Sequence, residues 1–336
     1  MQWHITNMCN KRCKHCYQEE YNGIEFSIKE LKEFGKQYLE LLQEYNKNNN
    51  QNIKGQINIT GGEPFVREDI WELLDFFKEN SKYFEFGILT NGSLLNEETV
   101  KKLKSYNPKM IQISLDGSKK THDEIRGINS YNEVIKSLKL LKKYNIETLV
   151  SFTANNKNYK EFKDVVKIAK RCKVSKVWTD RMVPIGAGNS GEVKTLTKEE
   201  VVEYINIIAK EQLNPLNKFS KTKIGGERSL QFLNGISFSY KCSAGDGLII
   251  LLENGDVMPC RRLPIIAGNI KNSTLKDIYF NSKIFKEVRN VKYIPKGCNN
   301  CGFLGLCKGG AKCIAYWAYG NYRNGDYGCI LRKSEE

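Results

Sequence analysis

Three cysteines close to the amino terminus restrict the fold and chemistry of this chain more than any other feature. Cys9, Cys13 and Cys16 are spaced C-x3-C-x2-C, and the next cysteine along the chain is Cys172. Because four thiolates normally hold a 4Fe-4S cluster, the triplet favours a cube with one iron left open for another ligand. A zinc knuckle or part of a disulfide framework stays an alternative, although zinc sites usually contain C-x2-C pairs or histidines.

The remaining cysteines also point to metal binding. The chain has 11 cysteines, which is unusual for a reducing compartment unless they bind metal. Seven of them lie between Cys242 and Cys329, far from the amino-terminal three. Cys172 stands alone just after a helical pattern at 162–170, and we expect it to be a small core residue.

Length and composition indicate a protein with a substantial core. The 336 residues suffice for one large domain or two moderate ones. No run of about 18 apolar residues occurs, and no apolar signal segment precedes the first cysteine. We therefore expect a cytoplasmic protein with no membrane partner.

The formal net charge of +15 raises the question of nucleic acid binding. The lysines are spread along helical patterns such as 101–104 and 136–139, and no arginine-rich segment or known RNA-binding motif is present. We expect a solvated basic surface suited to an acidic peptide, and no nucleic acid partner.

Up to about residue 215 the chain alternates short apolar runs with amphipathic patterns, which predicts parallel strands joined by helices. The helices at Ile28 and Lys198 are predicted from the capping boxes that precede them, and 46–50 is predicted to be a solvated connection. The six predicted strands are Trp3–Thr6, Gln56–Thr60, Phe86–Leu89, Met110–Leu115, Thr148–Phe152 and Lys176–Thr179.

A glycine pair follows the second predicted strand, in the sequence Gly61-Gly62-Glu63-Pro64. Two glycines allow a backbone to approach a ligand closely, and a proline suits the entry to a helix. Together with the cysteine triplet, this stretch resembles the radical S-adenosylmethionine (radical SAM) superfamily. The resemblance implies that the amino and carboxylate groups of S-adenosylmethionine bind the open iron, with all four residues of this stretch beside the amino group.

The resemblance implies further cofactor contacts at the carboxyl ends of the strands, where parallel α/β folds collect their ligands. His15 occupies the position before the third cysteine that is usually aromatic, and Arg126 is expected to brace the site. The other expected contacts with the cofactor are Thr90, Asn91, Ser114, Asn155 and Arg181. The implied fold is α/β, a partial (βα)6 TIM-like barrel followed by a small cysteine-rich iron-sulfur domain.

The cysteines after residue 240 resemble the SPASM extension of radical SAM enzymes, which carries up to two auxiliary iron-sulfur clusters, expected to be 4Fe-4S. Asn254-Gly255 predicts a hairpin that would bring Cys242 and Cys260 toward each other. A zinc ribbon on Cys298 and Cys301 is the alternative. By resemblance, one ligand set is Cys298, Cys301, Cys307 and Cys329, and the other is Cys242, Cys260 and Cys313.

One departure from the SPASM pattern concerns the sixth cysteine. The family places it four residues after the fifth, where this chain has Ala311, and Cys313 follows two residues later. We expect the inner cluster to lack a full cysteine set, with one iron that is open or bound by a non-cysteine group and that could hold a substrate thiolate.

The predicted domains are a radical SAM core at 1–213, a bridging segment at 214–240 and a SPASM-like domain at 241–336. The resemblance implies reductive cleavage of S-adenosylmethionine to a 5'-deoxyadenosyl radical, followed by oxidative modification of a peptide or protein. The modification would be a thioether or carbon-carbon crosslink or a side-chain oxidation. Oxidation of a small acidic tetrapyrrole is one alternative, and a non-enzymatic iron-sulfur electron carrier is another.

The implied partners are a peptide or protein substrate and a reductant such as flavodoxin or ferredoxin. Only eight residues precede Cys9, so we expect no amino-terminal domain for binding a leader peptide. Recognition would then use the barrel opening, the bridging segment or a separate leader-peptide-binding partner. The sequence does not identify the catalytic acid or base.

Overall fold

The computed structural model of the chain describes residues 1–23, 25–225, 229–235, 241–290 and 292–332. Residues 226–228 and 236–240 of the predicted bridging segment lie outside the described residues. In the part of the chain that is described, no helix is long and apolar enough to cross a lipid bilayer.

The strands are short, and most of those before residue 215 end where polar residues were predicted to gather. Their bounds are β1 (Gln2–His4), β2 (Gly55–Thr60), β3 (Phe84–Thr90), β4 (Met110–Ser114), β5 (Thr148–Ala154), β6 (Lys176–Arg181), β7 (Lys223–Ile224), β8 (Ile250–Leu251), β9 (Asp256–Met258) and β10 (Gly268–Asn269).

Helices follow each of the first six strands, as the alternating pattern predicts. Their bounds are α1 (Ile28–Asn49), α2 (Ile70–Glu79), α3 (Glu97–Ser105), α4 (Lys119–Arg126), α5 (Ser130–Lys143), α6 (Phe162–Arg171), α7 (Lys198–Leu213), α8 (Pro215–Lys218), α9 (Leu275–Asn281), α10 (Lys283–Arg289), α11 (Leu304–Cys307) and α12 (Lys312–Tyr319). Short 3₁₀ helices also lie at 64–66, 159–161, 186–189 and 231–234.

The chain forms two compact units, each built from several segments. The first unit contains Met1–Asn10, Glu20–Gln112 and Ser243–Asn290, and the second contains Lys11–Glu19, Ile113–Cys242 and Val291–Glu336. Strand β4 begins in the first unit and ends in the second.

In the first unit the strand order is β10-β9-β8-β1-β2-β3. Strand β1 pairs in parallel with β2 and with β8, while β8, β9 and β10 form antiparallel pairs. The predicted hairpin at Asn254-Gly255 is confirmed, and Gly255 has a φ of +92° that suits its tight turn. Trp3, Phe77 and Phe84 are almost fully buried in the core of this unit.

In the second unit β5, β6 and β7 lie side by side and parallel. Phe152 and Phe162 are buried with their ring centroids 5.5 Å apart, and Tyr204 of α7 packs edge-on against Phe162. Cys172 is buried as predicted.

The prediction that 46–50 is a solvated connection is wrong. Helix α1 continues through Asn49, and Asn50 ends it in the left-handed conformation with its N–H donating to the carbonyls of Asn46 and Lys47. Asparagine tolerates this conformation at a helix end, so an asparagine-rich stretch both continues and terminates the helix.

Both predicted capping boxes are present. The Ser27 side chain accepts a hydrogen bond from the N–H of Glu30, and the Glu30 carboxylate accepts from the N–H of Ser27. Thr197 and Glu200 make the same pair of bonds at the start of α7. These bonds satisfy N–H groups that the first turn of a helix leaves without partners.

The cap at Ser27 generates a stability prediction. We expect Ser27→Ala to lower the free energy of unfolding by about 1 kcal/mol, because the first turn of α1 loses its acceptor. Urea unfolding followed by circular dichroism measures the change. Lys29→Ala, an exposed change in the same turn, is the control and should have little effect; an equal loss in both variants would contradict the assignment.

Candidate functional site

The glycine pair after β2 lies against the backbone that leads into the first cysteine. The N–H of Gly62 donates to the carbonyl of Thr6 (2.9 Å), and the N–H of Glu63 donates to the carbonyl of Met8 (2.8 Å). A Cβ on Gly61 would fall 2.1 Å from the Thr6 oxygen, and one on Gly62 would fall 2.0 Å from the Met8 oxygen. The predicted close approach is therefore made to the chain itself, and it orders the residues before Cys9.

Glu63 is fully buried next to the end of β3. Its carboxylate accepts from the hydroxyl of Thr90 (2.7 Å), the N–H of Asn91 (2.8 Å) and the N–H of Phe65 (3.3 Å). Burial raises the pKa of Glu63 to about 7, and these donors offset only part of that rise. The structure therefore brings together three of the predicted cofactor residues, around a carboxyl group that lacks a compensating cation among its hydrogen-bond donors.

Pro64 has a different local role from the one expected. It opens the 3₁₀ helix at 64–66, whereas the longer helix α2 starts only at Ile70. This short turn aims the Phe65 N–H at the Glu63 carboxylate.

Cys9 belongs to the first unit and lies near the same group. The side-chain nitrogen of Asn91 is 3.9 Å from the Cys9 sulfur, and it also donates to the Asn10 side chain (2.9 Å). Asn91 thus contacts the carboxylate through its backbone and the cysteine through its side chain.

Cys13 and Cys16 belong to the second unit, where two segments support their loop. The N–H of Lys14 donates to the carbonyl of Ile125 (2.9 Å), and the N–H of Gly188 donates to the carbonyl of Cys16 (2.9 Å). Gly186 has a φ of +60°, and a Cβ there would lie 2.2 Å from the carbonyl carbon of Tyr17. The glycine-rich turn after β6 therefore fits directly beside the third cysteine.

His15 is held by a buried ion pair in the second unit. Its Nε2 lies 3.1 Å from Oδ2 of Asp116, and Asp116 also accepts from Nε of Arg126. Nη1 of Arg126 is 3.8 Å from the Cys13 sulfur. Burial opposes ionisation of Asp116, but Arg126 and His15 outweigh it and hold the pKa of this carboxyl well below its usual range.

Two features of this cluster bear on its chemistry. Nδ1 of His15 is buried without a hydrogen-bond partner among the described residues, on a ring that is 5% exposed. Burial and the Arg126 charge lower the pKa of His122 to about 4, so its neutral Nδ1 accepts from the Asp116 N–H (3.0 Å). Arg126 lies beside the cysteine loop, and its expected role in bracing the site stays a prediction.

The other expected cofactor residues lie at or just after strand ends. Ser114 is half-buried at the end of β4. Asn155 is fully buried, and its amide is used in a local turn with Thr153 and Lys157. Arg181 ends β6 with both terminal nitrogens on Asp326. Their contacts with S-adenosylmethionine stay predictions.

Four of the carboxyl-terminal cysteines line a single pocket in the second unit. These four are the predicted outer ligand set, Cys298, Cys301, Cys307 and Cys329. Among the described residues, the rest of the wall is mostly apolar and Asp326 is its one acidic member: Leu230, Phe232, Leu233, Phe303, Leu304, Gly309, Asp326 and Leu331. Burial raises the pKa of Cys298 and of Cys307 to about 11, and neighbouring cysteines add to the rise. The thiols therefore ionise readily only when a cation shares the pocket.

The predicted inner ligand set is divided between the units. Cys242 and Cys313 belong to the second unit and Cys260 to the first. Cys313 is buried in the first turn of α12, two residues after Ala311. The role of all three cysteines as ligands stays a prediction.

Within the described ranges, no three His, Cys, Asp or Glu side chains converge on a position for a single metal ion. This finding does not test a 4Fe-4S cluster, because each of its thiolates binds a different iron and the sulfurs stand farther apart.

Sequence reasoning missed Asp116 and Asp326. Both are almost fully buried and accept hydrogen bonds from an arginine. The available signals were an aspartate directly after a predicted strand, and an aspartate three residues before the last cysteine. Neither signal indicated which arginine would be the partner.

The close approach at Gly62 generates a prediction about the amino-terminal cysteines. We expect Gly62→Ala to lower the free energy of unfolding by about 1–3 kcal/mol, because the new methyl group overlaps the Met8 carbonyl. The amount of iron bound per protein should also fall, because Cys9 directly follows the displaced Met8. In the control, Gly247→Ala, the added Cβ lies 4.0 Å from its nearest neighbour, so stability should be kept.

Glu63 generates a prediction about pH. Its folded pKa of about 7 lies above its ordinary value of 4.5, so the native state binds more protons between these values. The free energy of unfolding of the protein free of S-adenosylmethionine should fall as the pH rises from about 4.5 to about 7. Glu63→Gln should flatten this pH dependence in thermal melts, whereas Glu72→Gln, a change at an exposed residue, should leave the dependence unchanged. Equal slopes in the wild type and both variants would contradict the raised pKa of Glu63.

Two family models match the chain. Residues 3–169 match the radical SAM superfamily, and residues 242–302 match the SPASM domain, an iron-sulfur cluster-binding domain. These matches confirm the predicted cofactor classes, S-adenosylmethionine and iron-sulfur clusters.

Two relatives align over nearly all of this chain. The AdoMet-dependent heme synthase of Methanosarcina barkeri is 25% identical, over 99% of this chain and 97% of the relative. The mycofactocin maturase MftC of Mycobacterium tuberculosis is 26% identical, over 99% of this chain and 83% of the relative. The two relatives are thus named for different reactions, heme synthesis and the maturation of mycofactocin.

A solved structure confirms the fold. It is anSMEcpe with bound AdoMet and the Cp18Cys peptide, which is 20% identical with a TM-score of 0.77, over 98% of this chain and 93% of that one. The predicted α/β fold, a partial barrel with a cysteine-rich carboxyl-terminal region, is confirmed. From the two family matches, the chain belongs to the radical SAM superfamily and carries a SPASM domain that follows its radical SAM domain in the sequence.

Proposed function

We propose that this chain is a radical SAM oxidoreductase that cleaves S-adenosylmethionine reductively and modifies a peptide or protein oxidatively. The observation that carries the proposal is the pocket lined by four cysteines in the second unit. An enzyme that only generates a radical needs one cluster, whereas net oxidation of a substrate needs an acceptor for a further electron.

The cysteine sets fit the two kinds of cluster. Cys9, Cys13 and Cys16 would hold the amino-terminal one and leave an iron open, and the four-cysteine pocket would hold a fully ligated one. When bound, the first cluster would supply the electron that splits S-adenosylmethionine into methionine and a 5'-deoxyadenosyl radical, and the second would accept an electron from the substrate radical that hydrogen abstraction leaves.

Glu63 would bind the amino group of S-adenosylmethionine. Its hydrogen-bond donors among the described residues are neutral, and burial leaves it with a pKa of about 7. The N–H groups of an iron-bound amino group would donate hydrogen bonds to the carboxylate and favour its ionised form, so binding at neutral pH would release protons. Thr90 and Asn91 would keep the carboxylate oriented toward that group.

Asn91 and Arg126 would act on the cysteine sulfurs. Asn91 is 3.9 Å from the Cys9 sulfur, and Arg126 is 3.8 Å from the Cys13 sulfur. Donors close to a ligand sulfur stabilise negative charge on it and tune the potential of a bound cluster. Asp116 keeps Arg126 in place for this role.

Two findings support a peptide substrate. One relative is named as the maturase of mycofactocin, and the structure of similar fold contains a bound peptide. The net charge of +15 suits an acidic substrate and an acidic reductant of the flavodoxin or ferredoxin type. A separate partner that binds a leader peptide belongs to the same proposal, as does action in the cytoplasm.

A second candidate substrate is an iron tetrapyrrole that carries propionate groups. It is favoured by the relative named as an AdoMet-dependent heme synthase, which this chain matches over 97% of its length. Propionate carboxylates would also suit a basic protein. The reaction type would remain an oxidation that starts from the same radical.

The proposal is tested with protein reconstituted anaerobically and supplied with S-adenosylmethionine and a strong reductant. We expect 5'-deoxyadenosine from the wild type and none from C9A/C13A/C16A. Loss of Cys298 or Cys301 to Ala should preserve some uncoupled cleavage but stop product formation. Cys172→Ala, a buried cysteine outside the predicted ligand sets, is the control and should keep both activities.

The substrate is distinguished by mass spectrometry of two reactions, one with cysteine-containing acidic peptides and one with an iron tetrapyrrole. Loss of hydrogen from a peptide supports the first candidate, and loss of carbon dioxide together with hydrogen from the propionates supports the second. Zinc in place of iron, or no 5'-deoxyadenosine from the wild type, would overturn the proposal.

A further inference from the structure

We propose that the buried ion pair between Arg181 and Asp326 positions the wall of the four-cysteine pocket and sets the reduction potential of the cluster held there. This inference rests on the proposed function, because it takes the pocket to hold an iron-sulfur cluster. Both residues belong to the second unit, as do the four cysteines.

The pair has the geometry of a strong bidentate contact. Nη1 of Arg181 lies 2.9 Å from Oδ1 of Asp326, and Nη2 lies 2.6 Å from Oδ2. The two side chains are 6% and 1% exposed, so water screens the charges little. Burial opposes ionisation of both groups, yet their mutual attraction raises the pKa of Arg181 and lowers that of Asp326.

Asp326 connects separate parts of the pocket. Besides Arg181, its carboxylate accepts from the hydroxyl of Ser229 and from the N–H groups of Ala311 and Gly328, each at 3.0 Å. The Asp326 backbone donates to the carbonyl of Gly309 (2.9 Å) and accepts from the N–H of Cys329 (3.1 Å). One carboxylate therefore joins the segments that carry Cys307 and Cys329 to the end of β6.

The glycines around the pair leave room for it. A Cβ on Gly310 would lie 2.6 Å from Cβ of Asp326, and a Cβ on Gly328 would lie 2.5 Å from Nη1 of Arg181. A Cβ on Gly325 would lie 2.7 Å from the Cys298 sulfur. The backbone of the pocket is thus fitted both to the ion pair and to a ligand cysteine.

Asp326 lies in a basic part of the sequence. Asp326 is the only acidic residue in 292–332, a stretch that contains six basic ones: Lys292, Lys296, Lys308, Lys312, Arg323 and Arg332. A buried carboxylate in the pocket wall disfavours an added electron there, and the guanidinium offsets this effect. Neutralising Asp326 alone therefore makes the charge beside the cluster more positive, and neutralising Arg181 alone makes it more negative.

The test measures the midpoint potential of the carboxyl-terminal cluster by EPR-monitored titration. The full chain with C9A/C13A/C16A and C242A/C260A serves as background, so that neither the amino-terminal cluster nor the predicted inner cluster contributes. We expect D326N to raise the potential and R181Q to lower it, each by about a tenfold change in the reduction equilibrium, or about 59 mV for one electron. The double variant R181Q/D326N should return toward the parent value.

Two further variants separate position from charge. R181K keeps the charge but not the planar fork, so it should hold the potential near the parent value while iron bound in the pocket falls severalfold. R323Q removes an exposed arginine of the same segment and should move the potential little, because solvent and salt screen surface charge. The R181K result also stands if R181Q does not fold.

The outcomes distinguish this inference from the proposed function. Wild-type protein without a cluster in the pocket would overturn the proposed function. A cluster whose potential is unmoved in D326N and R181Q, or moves in the same direction in both, would overturn only the inference.

Discussion

The structure of the amino-terminal site depends on two peptide groups that pack against each other without side chains between them. Gly61 and Gly62 allow the end of β2 to pair with Thr6 and Met8 at a distance that excludes any Cβ. That contact orders the chain directly before Cys9 and directs Glu63 toward the end of β3. A single backbone contact thus determines the positions of a ligand cysteine and of the carboxylate proposed to bind the cofactor.

Three buried carboxylates illustrate two ways to place negative charge away from water. Asp116 and Asp326 are each paired with an arginine, so they stay ionised and serve as fixed structural charges. Glu63 has only neutral donors among the described residues, and its pKa rises to about 7. The carboxylate without an arginine is the one that additional N–H donors from the cofactor would stabilise most.

The sequence predicts features that depend on residues close together along the chain. Alternating apolar runs, both capping boxes and the Asn254-Gly255 hairpin follow from local patterns, and the structure contains all of them. The end of α1 was misjudged because composition alone does not show that an asparagine can close a helix. The Arg181–Asp326 pair was out of reach because its members are 145 residues apart and only the folded chain selects them as partners.

The wall of the four-cysteine pocket includes Leu230, Phe232 and Leu233, which come from the segment between the two predicted domains. Leu230 adopts the left-handed conformation, with a φ of +68°, at the start of the 3₁₀ helix that presents these apolar side chains. A fragment that began at residue 241 would open one side of the pocket to solvent. The carboxyl-terminal cysteines therefore do not form a detachable module, and a metal centre built by them requires the connecting segment for its shelter.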